Sequence, residues 1–382
     1  MPSTAEIPAL VEATRHFVRT KITPHVRDWE SQDKGVPAEL LDEIGKLGYY
    51  GLLVPEAFGG SDLDMATYAR VIEELAAGDC GLCNLIAVNN SPVAAAIRDH
   101  GSPEQKQQYL AGLAAGTLRS CFMLTEAEAG SDAATLKTRA TRDGEHYVLS
   151  GSKRFVTAGN SASFAMLVAV TDPEQGKNGM SCFLVPRDSY QVARLEDKLG
   201  HRNCDTAEVV FDDVRIDASC RLGVEGDGYR IALAYLNNGR IGVAAQAVGV
   251  ARAALEAAVQ YAGERKTFGD AIINHQAIAF RLADMATRVT AARQLTIHAA
   301  DRADDGKDAI AAASMAKIFA SEAAEAVTSA ALQIHGGYGY LKDFPVEKYA
   351  RDARVLSIYE GTNDIQRMVI ARQLVQGWRP EA

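Results

Sequence analysis

The second half of the chain carries three long alanine-rich stretches with helical periodicity, at residues 230–264, 272–303 and 308–335. Gly306 separates the second stretch from the third, and a shorter amphipathic segment follows at 363–376. Helices of this length with alanine on several faces usually bury against one another. The sequence therefore predicts that this part of the chain folds as a helical bundle.

A different pattern precedes the bundle, from about residue 117 to residue 222. Short runs of β-forming residues, such as HYVLSG, FAMLVAV, SCFLVP and AEVVFDDV, alternate there with turn-like segments, such as TRDGE and DPEQGKNG. We expect a mainly α protein with a central β domain of about six to eight strands. The expected divisions are an N-terminal helical domain (1–116), a middle β domain (117–224) and a C-terminal helical bundle (225–382).

Two local signals support helices in the first part of the chain. One is a set of apolar residues spaced for a single helical face: Leu40, Leu41, Ile44 and Leu47. The other is a capping box, in which Ser102 is the cap, Pro103 takes the first helical position and Gln105 is the reciprocal partner.

The composition narrows the classes of partner. The 382 residues carry a net charge of −9 and are 47% hydrophobic, with no basic arm, so nucleic acid is not an expected partner. The first residues lack the apolar core of a signal peptide. No apolar run reaches the ~18 residues of a membrane span. We therefore expect a cytoplasmic protein without a membrane span.

Several familiar site signatures are absent from the sequence. The eight histidines form neither HxxxH nor HExxH, so no metal site is expected. Cys80 and Cys83 form a CxxC without a second pair, which is more typical of packed thiols than of a redox or zinc site. GVEGDGYRI lacks the third glycine of a dinucleotide-binding fingerprint and follows no clear strand–helix crossover.

Two segments of the β region could hold a planar ring. In FMLTEAEAGSD (122–132), an apolar strand ends at Thr125 and exposes backbone N–H groups, although a plain strand exit has the same sequence. In KRFVTAGN (153–160), Phe155 and Thr157 are two residues apart and should point to the same side of a strand. An aromatic face with a hydroxyl suits a heteroaromatic ligand, and an ordinary amphipathic strand would look the same.

Three helix ends could hold a diphosphate. ERKTFG (264–269) offers two cations, a hydroxyl and an aromatic ring, or simply a basic helix end. The glycines of QIHGGYGY (333–340) permit close backbone approach, or form a helix cap. In SIYEGTNDIQR (357–367), Thr362 is predicted to cap a helix whose free N–H groups could receive phosphate oxygens.

Together and in this order, LTEAEAGSD, RKTFG, QIHGGYGY and YEGTNDIQR resemble the acyl-CoA dehydrogenase family, over roughly residues 5–376. LNNGRIGVAAQAVGVA and VNNSP resemble the short-chain and short branched-chain members most. The resemblance implies an N-terminal helical domain, a β-barrel-like or sandwich-like middle domain and a C-terminal four-helix bundle. It also implies FAD, bound without a dinucleotide-binding fold.

The resemblance assigns cofactor roles by motif. The segment from Phe122 to Thr125 would meet the pyrimidine side of the flavin, Phe155 would cover the ring where many relatives carry tryptophan, and Thr157 would reach flavin N5. The ADP half of an FAD sitting mainly in another subunit would lie against Arg265, Thr267 and Phe268. The full set of implied FAD-binding residues is Phe122, Leu124, Thr125, Ser131, Phe155, Val156, Thr157, Arg265, Thr267, Phe268, Gln276, Gln333, Gly336, Gly337, Thr362 and Asp364.

Glu360 matches the family's catalytic base. It would remove the α-proton of an acyl-CoA while flavin N5 takes the β-hydride, which gives the trans-2-enoyl-CoA. The Glu360 N–H and the flavin ribityl chain would hydrogen-bond the thioester oxygen. Some relatives place the base in the first bundle helix, where this chain has Gly239, so Glu360 is the only candidate.

The resemblance also implies substrate contacts and partners. The substrate-binding residues would be Ser131, Asn237, Arg240, Tyr359 and Gly361, although the family often has aspartate where Asn237 stands. Electrons would pass to an electron-transfer flavoprotein, and the shared sites imply a homo-oligomer, most often a tetramer built as a dimer of dimers. Two alternatives stay open: an acyl-CoA oxidase-like or nitroalkane oxidase-like enzyme that uses oxygen, and a non-catalytic flavin-binding helical protein. The acyl group is not specified, because each methylene contributes only ~1–3 kcal/mol to discrimination.

Overall fold

Helices at both ends of the chain enclose a central sheet in the computed structural model, which describes residues 6–31 and 35–379. This arrangement confirms the predicted fold class, a mainly helical protein with a central β domain and a C-terminal helical bundle. The exact domain boundaries stay a prediction.

The described residues of the first part of the chain form eight helices, joined by short 3₁₀ and π turns. They are α1 Glu6–Phe17, α2 Val26–Ser31, α3 Ala38–Lys46, α4 Met65–Gly78, α5 Cys80–Val88, α6 Ala95–His100, α7 Pro103–Gln105 and α8 Ala111–Ala114. Helices α4 and α5 follow one another almost directly, because Asp79 ends the first and caps the second by accepting a hydrogen bond from Leu82 N at 2.6 Å. Helix α5 is buried along its whole length.

The local helix signals are confirmed with one exception. The Ser102 and Gln105 capping box forms at the start of α7. In α3, Leu40, Leu41 and Ile44 are buried as the spacing predicts. Leu47 is 54% exposed, so its predicted place on the same face was wrong, because the helix ends at Lys46.

Eight strands form the central sheet, which confirms the predicted β region. They are β1 Ser120–Met123, β2 Arg139–Asp143, β3 His146–Thr157, β4 Phe164–Val170, β5 Met180–Pro186, β6 Gln191–Leu195, β7 Thr206–Asp217 and β8 Arg221–Leu222. The strand order is β6-β7-β3-β2-β4-β5-β8, with β1 paired in parallel to β4. Seven of the strands therefore form one path with β6 and β8 at its ends, and β1 lies off that path beside β4.

In the described residues, the C-terminal bundle contains the three long helices and the shorter last helix that the periodicity predicts. They are α9 Gly228–Glu264, α10 Gln276–Asp304, α11 Ile310–His335 and α13 Asn363–Val375, with the shorter α12 Val346–Ala353 before the last. A small hairpin, β9 Lys266–Thr267 and β10 Asp270–Ala271, joins α9 to α10. Alanine and glycine dominate the buried face of α9, so neighbouring helices can approach it closely.

A buried charge cluster links the three parts of the chain. Lys348 of α12 pairs with Asp79 at 2.9 Å and also with Asp352. Asn203, from the loop after β6, donates to the same Asp79 at 2.8 Å, and the His201 backbone N–H donates to Asp352 at 2.7 Å. Burial opposes the charge of Lys348, but Asp352 and Asp79 together raise its pKa above the usual value. Paired charges of this kind fix the relative placement of the elements that carry them.

Two helical stretches of the described residues are long and apolar enough to cross a membrane, by length and composition alone. They are Cys80–His100 and Gly228–Glu264, so the expectation that no stretch reaches this length was wrong. The most apolar window of the first is 100% buried in the protein and that of the second 78%. Core helices of globular proteins have the same properties, so the two stretches are weak evidence for a membrane.

Candidate active site

A cavity of about 410 Å³ lies where the three parts of the chain meet. Its walls come from helix α5 and the turn after it, the loop after β1, strand β3, helix α9 and the segment that precedes α13. The lining residues are Asn84, Val88, Pro92, Phe122, Leu124, Thr125, Gly130, Ser131, Ala133, Arg154, Phe155, Thr157, Leu233, Leu236, Arg240, Ile358, Tyr359, Glu360, Gly361, Thr362 and Ile365. Segments far apart in sequence therefore converge on one space.

The Glu360 turn has an uncommon backbone. Glu360 has φ of 51° and Gly361 has φ of 87°, so two consecutive residues lie in the left-handed region. Glycine adopts this conformation freely, but for glutamate it is unfavourable and must be held by its surroundings. Gln366 holds it, since its Nε2 donates to the Gly361 carbonyl at 3.0 Å and to the Glu360 carbonyl at 3.3 Å. Thr362 caps α13 as predicted, by accepting from Ile365 N at 3.3 Å.

Glu360 is half-buried, and one of its two carboxyl oxygens lies inside the protein without a hydrogen-bond partner among the described residues. Its Oε2 is shielded from solvent and accepts no hydrogen bond from the described residues. Burial raises the pKa of Glu360 to about 7, while the positive charges of Lys317 and Arg240 oppose that rise. A carboxyl in this state exchanges a proton near neutral pH, which suits a general base.

Gly239 of α9 creates the space for this carboxyl. A Cβ at position 239 would lie 2.2 Å from Glu360 Oε2, far inside van der Waals contact. The helix therefore carries glycine here at a cost of about 1 kcal/mol in helix propensity relative to alanine. Position 239, where some relatives carry their base, therefore leaves room in this chain for the Glu360 carboxyl.

Phe155 and Thr157 contribute to the same cavity wall. The sequence places them on one side of a regular strand, but the structure differs: the pairing of β3 with β7 shifts between Lys153 and Val156, and Phe155 has φ of 56°. This irregularity leaves Phe155 62% exposed while Val156 is buried. Thr157 Oγ1 accepts from Asn84 Nδ2 at 3.3 Å, and no hydrogen bond of the described residues uses the Thr157 O–H. That hydroxyl can therefore donate to a ligand.

A second cavity, of about 480 Å³, lies at the other end of the long helices. Among the predicted FAD-binding residues it contains Arg265, Thr267, Gly336 and Gly337, none of which lines the first cavity. Phe268, at the tip of the adjacent hairpin, is 99% exposed. The two groups of motif residues thus lie at two separate sites on one chain, as expected if a cofactor spans two subunits.

Some predicted site residues lie outside both cavities. Gln276, Gln333 and Asp364 are exposed. Val156 is buried beneath the wall. Asn237 is half-buried and accepts from Arg240 Nη1 at 2.6 Å. Their binding roles stay predictions.

Several cavity residues were missed in the sequence. Asn84 and Arg154 are polar, and Val88, Pro92, Leu233 and Leu236 are apolar. An asparagine within the apolar helix CGLCNLIAV was a usable signal, because such a helix seldom buries an amide without a partner. The apolar residues carried no signal, because in the sequence an apolar residue that lines a cavity cannot be distinguished from one in the core.

Comparison with known families identifies the chain. The profile of the acyl-CoA dehydrogenase N-terminal domain matches residues 4–117, that of the middle domain 121–214 and that of the C-terminal domain 226–375. The chain belongs to the acyl-CoA dehydrogenase family. It is an oxidoreductase, as the motifs predicted.

Relatives of this acyl-CoA dehydrogenase match it from end to end. It is 44% identical to an acyl-CoA dehydrogenase of Bacillus subtilis (strain 168), over 99% of this chain and 100% of the relative. It is 41% identical to the mitochondrial short-chain specific acyl-CoA dehydrogenase of Bos taurus, over 99% of this chain and 92% of the relative.

Two solved structures share the fold closely. Butyryl-CoA dehydrogenase from Megasphaera elsdenii superposes with a TM-score of 0.95 at 38% identity, covering 98% of this chain and 99% of that one. A chain from a structure described as the electron transferring flavoprotein of Acidaminococcus fermentans superposes with a TM-score of 0.96 at 41% identity, covering 98% and 99%.

Acyl-CoA dehydrogenases are FAD-dependent, so the predicted cofactor is confirmed. The residues present fit that group. The first cavity offers an exposed aromatic side chain, Phe155, and the free hydroxyl of Thr157. The second offers the guanidinium of Arg265 and the glycine backbone at Gly336 and Gly337, which suit a diphosphate.

We expect Gly239→Ala to lower acyl-CoA dehydrogenase activity by at least about tenfold, because a 1 Å displacement of a catalytic group can cost more than this. Gly263→Ala is the matched control, since it lies on the same helix with open space around its Cβ position. It should retain activity and gain slightly in thermal stability. Steady-state rates and melting of both variants check this.

A second comparison isolates the cause. In the Glu360→Ala background, Gly239→Ala should be as well tolerated as Gly263→Ala, because the clashing carboxyl is gone. A Gly239→Ala single variant as active and as stable as Gly263→Ala would show that position 239 does not shape the site.

Proposed function

We propose that the protein catalyses the FAD-dependent α,β-dehydrogenation of a short-chain acyl-CoA to the trans-2-enoyl-CoA, with Glu360 as the base. The observation that carries this proposal is the position of Glu360, which lines a ligand-sized cavity and whose shielded Oε2 accepts no hydrogen bond from the described residues. A structural glutamate would instead be paired or solvated.

The chain's own groups would act on the proton. Glu360 accepts the α-proton of the bound thioester, and its carboxylate form is favoured by the nearby charges of Arg240 and Lys317. The Glu360 N–H donates no hydrogen bond to another described residue, which leaves it available for the thioester oxygen. FAD, when bound, supplies the acceptor for the β-hydride.

Other residues would bind and orient the substrate. Ser131 is exposed at the cavity wall, where it can meet the CoA portion. Arg240 is 6% exposed, and its Nε has no hydrogen-bond partner among the described residues. Its guanidinium can therefore reach an acceptor near the thioester. Tyr359 and Gly361 flank the base and line the same space.

A short acyl group is supported by the walls of the cavity and by the relatives. Val88, Pro92 and Leu236 give an apolar surface in a space of limited volume. Similar proteins are described as short-chain specific and as butyryl-CoA dehydrogenase. The separate second cavity with its exposed Phe268 supports a homo-oligomer, which we propose to be a dimer of dimers.

The remaining partner is an electron acceptor. The similar chain from a structure described as an electron transferring flavoprotein supports the proposal that such a flavoprotein reoxidises this enzyme. We propose a cytoplasmic location.

Replacing Glu360 with glutamine should reduce turnover of butyryl-CoA by about 10²–10⁴-fold while FAD content stays normal, because the amide keeps the shape but cannot accept the proton. Glu322→Gln, a change of a half-exposed glutamate paired with Arg367, is the control and should leave turnover unchanged. FAD absorbance and initial rates give both quantities. Undiminished turnover in Glu360→Gln would remove Glu360 from the mechanism.

The pH dependence should follow the same carboxyl. Because burial raises the pKa of Glu360 to about 7, the protonated, inactive form accumulates on the acid side. We expect kcat/KM to fall by about tenfold per pH unit below that value and to level off above it. A profile measured from pH 5 to 9 checks this. A rate independent of pH across the acid half would contradict the assignment.

The electron acceptor separates a dehydrogenase from an oxidase. Anaerobic addition of butyryl-CoA should bleach the FAD absorbance faster than palmitoyl-CoA does, since the cavity is limited in volume. Reoxidation by air should then be slow, and an electron-transfer flavoprotein should accelerate it. Rapid reoxidation by air would favour the oxidase alternative, and no bleaching by any acyl-CoA would favour a non-catalytic flavin protein.

A further inference from the structure

Lys317 is a fully buried lysine in the alanine-rich helix α11. Its Nζ donates to the Gly361 carbonyl at 3.0 Å and to Asn363 Oδ1 at 3.0 Å. The lysine therefore reaches from the core of the bundle to the turn that carries Glu360.

The contacts of Lys317 belong to a network that fixes this turn. Asn363 is also bonded to Ser321, one turn further along α11, with its Nδ2 donating to Ser321 Oγ at 3.0 Å. Gln366, which follows the turn in the sequence, donates hydrogen bonds to the Glu360 and Gly361 carbonyls. Both carbonyls of the left-handed pair are thus held by side chains whose own positions are fixed by helices.

Lys317 differs from the other wholly buried lysines in what balances its charge. Lys153 pairs directly with Glu126 at 2.8 Å, and Lys348 pairs with two aspartates. Lys317 forms no ion pair with the described residues and bonds only to neutral oxygens. A buried ammonium without a counter-charge is costly, and the strongest opposite charge acting on it is that of Glu360.

We propose that Lys317 is a positioning residue for Glu360: its Nζ holds the turn through Gly361 and Asn363, and its positive charge favours the ionised carboxylate. This inference rests on the proposed function for its catalytic meaning. The electrostatic coupling between the two charges is independent of it.

The charged groups around the carboxyl agree with this role. Lys317 from α11 and Arg240 from α9 both favour the ionised form of Glu360. The negative charge of Glu325, also on α11, favours the charged form of Lys317. The Glu360 charge in turn contributes to a raised pKa of Tyr68 of α4 and of the adjacent Tyr359. Burial lowers the pKa of Lys317 to about 8, so the ammonium is present at neutral pH. Removing it must raise the pKa of Glu360, because one of two stabilising charges is lost.

The test is an infrared titration of the FAD-loaded protein. The C=O band of protonated Glu360 is identified by its absence in Glu360→Gln. The intensity of that band is followed with pH, and its midpoint gives the pKa of the carboxyl. Lys317→Met and Lys317→Gln remove the charge and should raise the midpoint by about one unit or more. Lys317→Arg keeps the charge and should leave it near the parent value. Lys153→Met, which removes another buried lysine, should also leave it unchanged.

Activity supplies a second readout. The acid limb of kcat/KM should move upward with the infrared midpoint in Lys317→Met and return in Lys317→Arg. If Lys317→Met lowers kcat/KM equally at every pH and leaves the infrared midpoint of the carboxyl unshifted, Lys317 acts only through packing and the proposal is overturned. If Glu360→Gln keeps full turnover, the proposed function fails, while the titration still measures the electrostatic coupling between Lys317 and Glu360.

Reciprocity keeps the inference testable if the neutral variants do not fold. Coupling between two sites acts equally in both directions, so Glu360→Gln should lower the pKa of Lys317, measured from the ¹⁵N shift of its Nζ in labelled protein. An unchanged Lys317 pKa in that variant would also overturn the proposal.

Discussion

The Glu360 carboxyl occupies space that a glycine at position 239 leaves free, and much of the remaining structure serves to keep it there. Withdrawing a carboxyl from water favours its neutral form, and nearby cations favour the charged form. Here burial outweighs the opposing charges of Lys317 and Arg240, so the pKa settles at about 7. Without the two cations the pKa would lie higher, and without burial it would lie lower.

The architecture makes this balance possible by joining elements that are distant in sequence. The cluster of Asp79, Lys348 and Asp352 ties α5 to α12, and through the backbone of His201 it ties both to the loop after β6. Helix α5 in turn brings Asn84 to the hydroxyl of Thr157. The cavity is therefore a product of domain contacts rather than of any single element, which is typical of ligand sites.

The sequence predicts the zones of this fold well because they depend on local periodicity. The expected helix at 230–264 is observed at Gly228–Glu264, and the one at 308–335 at Ile310–His335. The predicted helix at 272–303 begins later, at Gln276, because residues 272–274 form a 3₁₀ turn. Where local geometry was irregular, the reasoning was incomplete: Phe155 reaches the cavity through a bulge rather than by strand alternation.

The candidate site was predictable only where motifs carried it. The resemblance located Glu360, and the structure shows it at the same cavity as Phe155 and Thr157. Its burial, its free oxygen and its neighbour Lys317 could not be read from the sequence, because each depends on contacts between residues more than forty positions apart. A lysine in an alanine-rich helix looks like a solvated residue until its environment is known.

The contact between position 239 and the carboxyl has an evolutionary corollary. A side chain at 239 and the carboxyl at 360 approach the same volume, so a chain that gained an acid at 239 while keeping Glu360 would have to move one of the two carboxyls. An intermediate carrying both would be crowded, and one carrying neither would lack a proton acceptor. Relocation of the base to 239 would be eased by a smaller residue at 360, so the two positions are expected to change together.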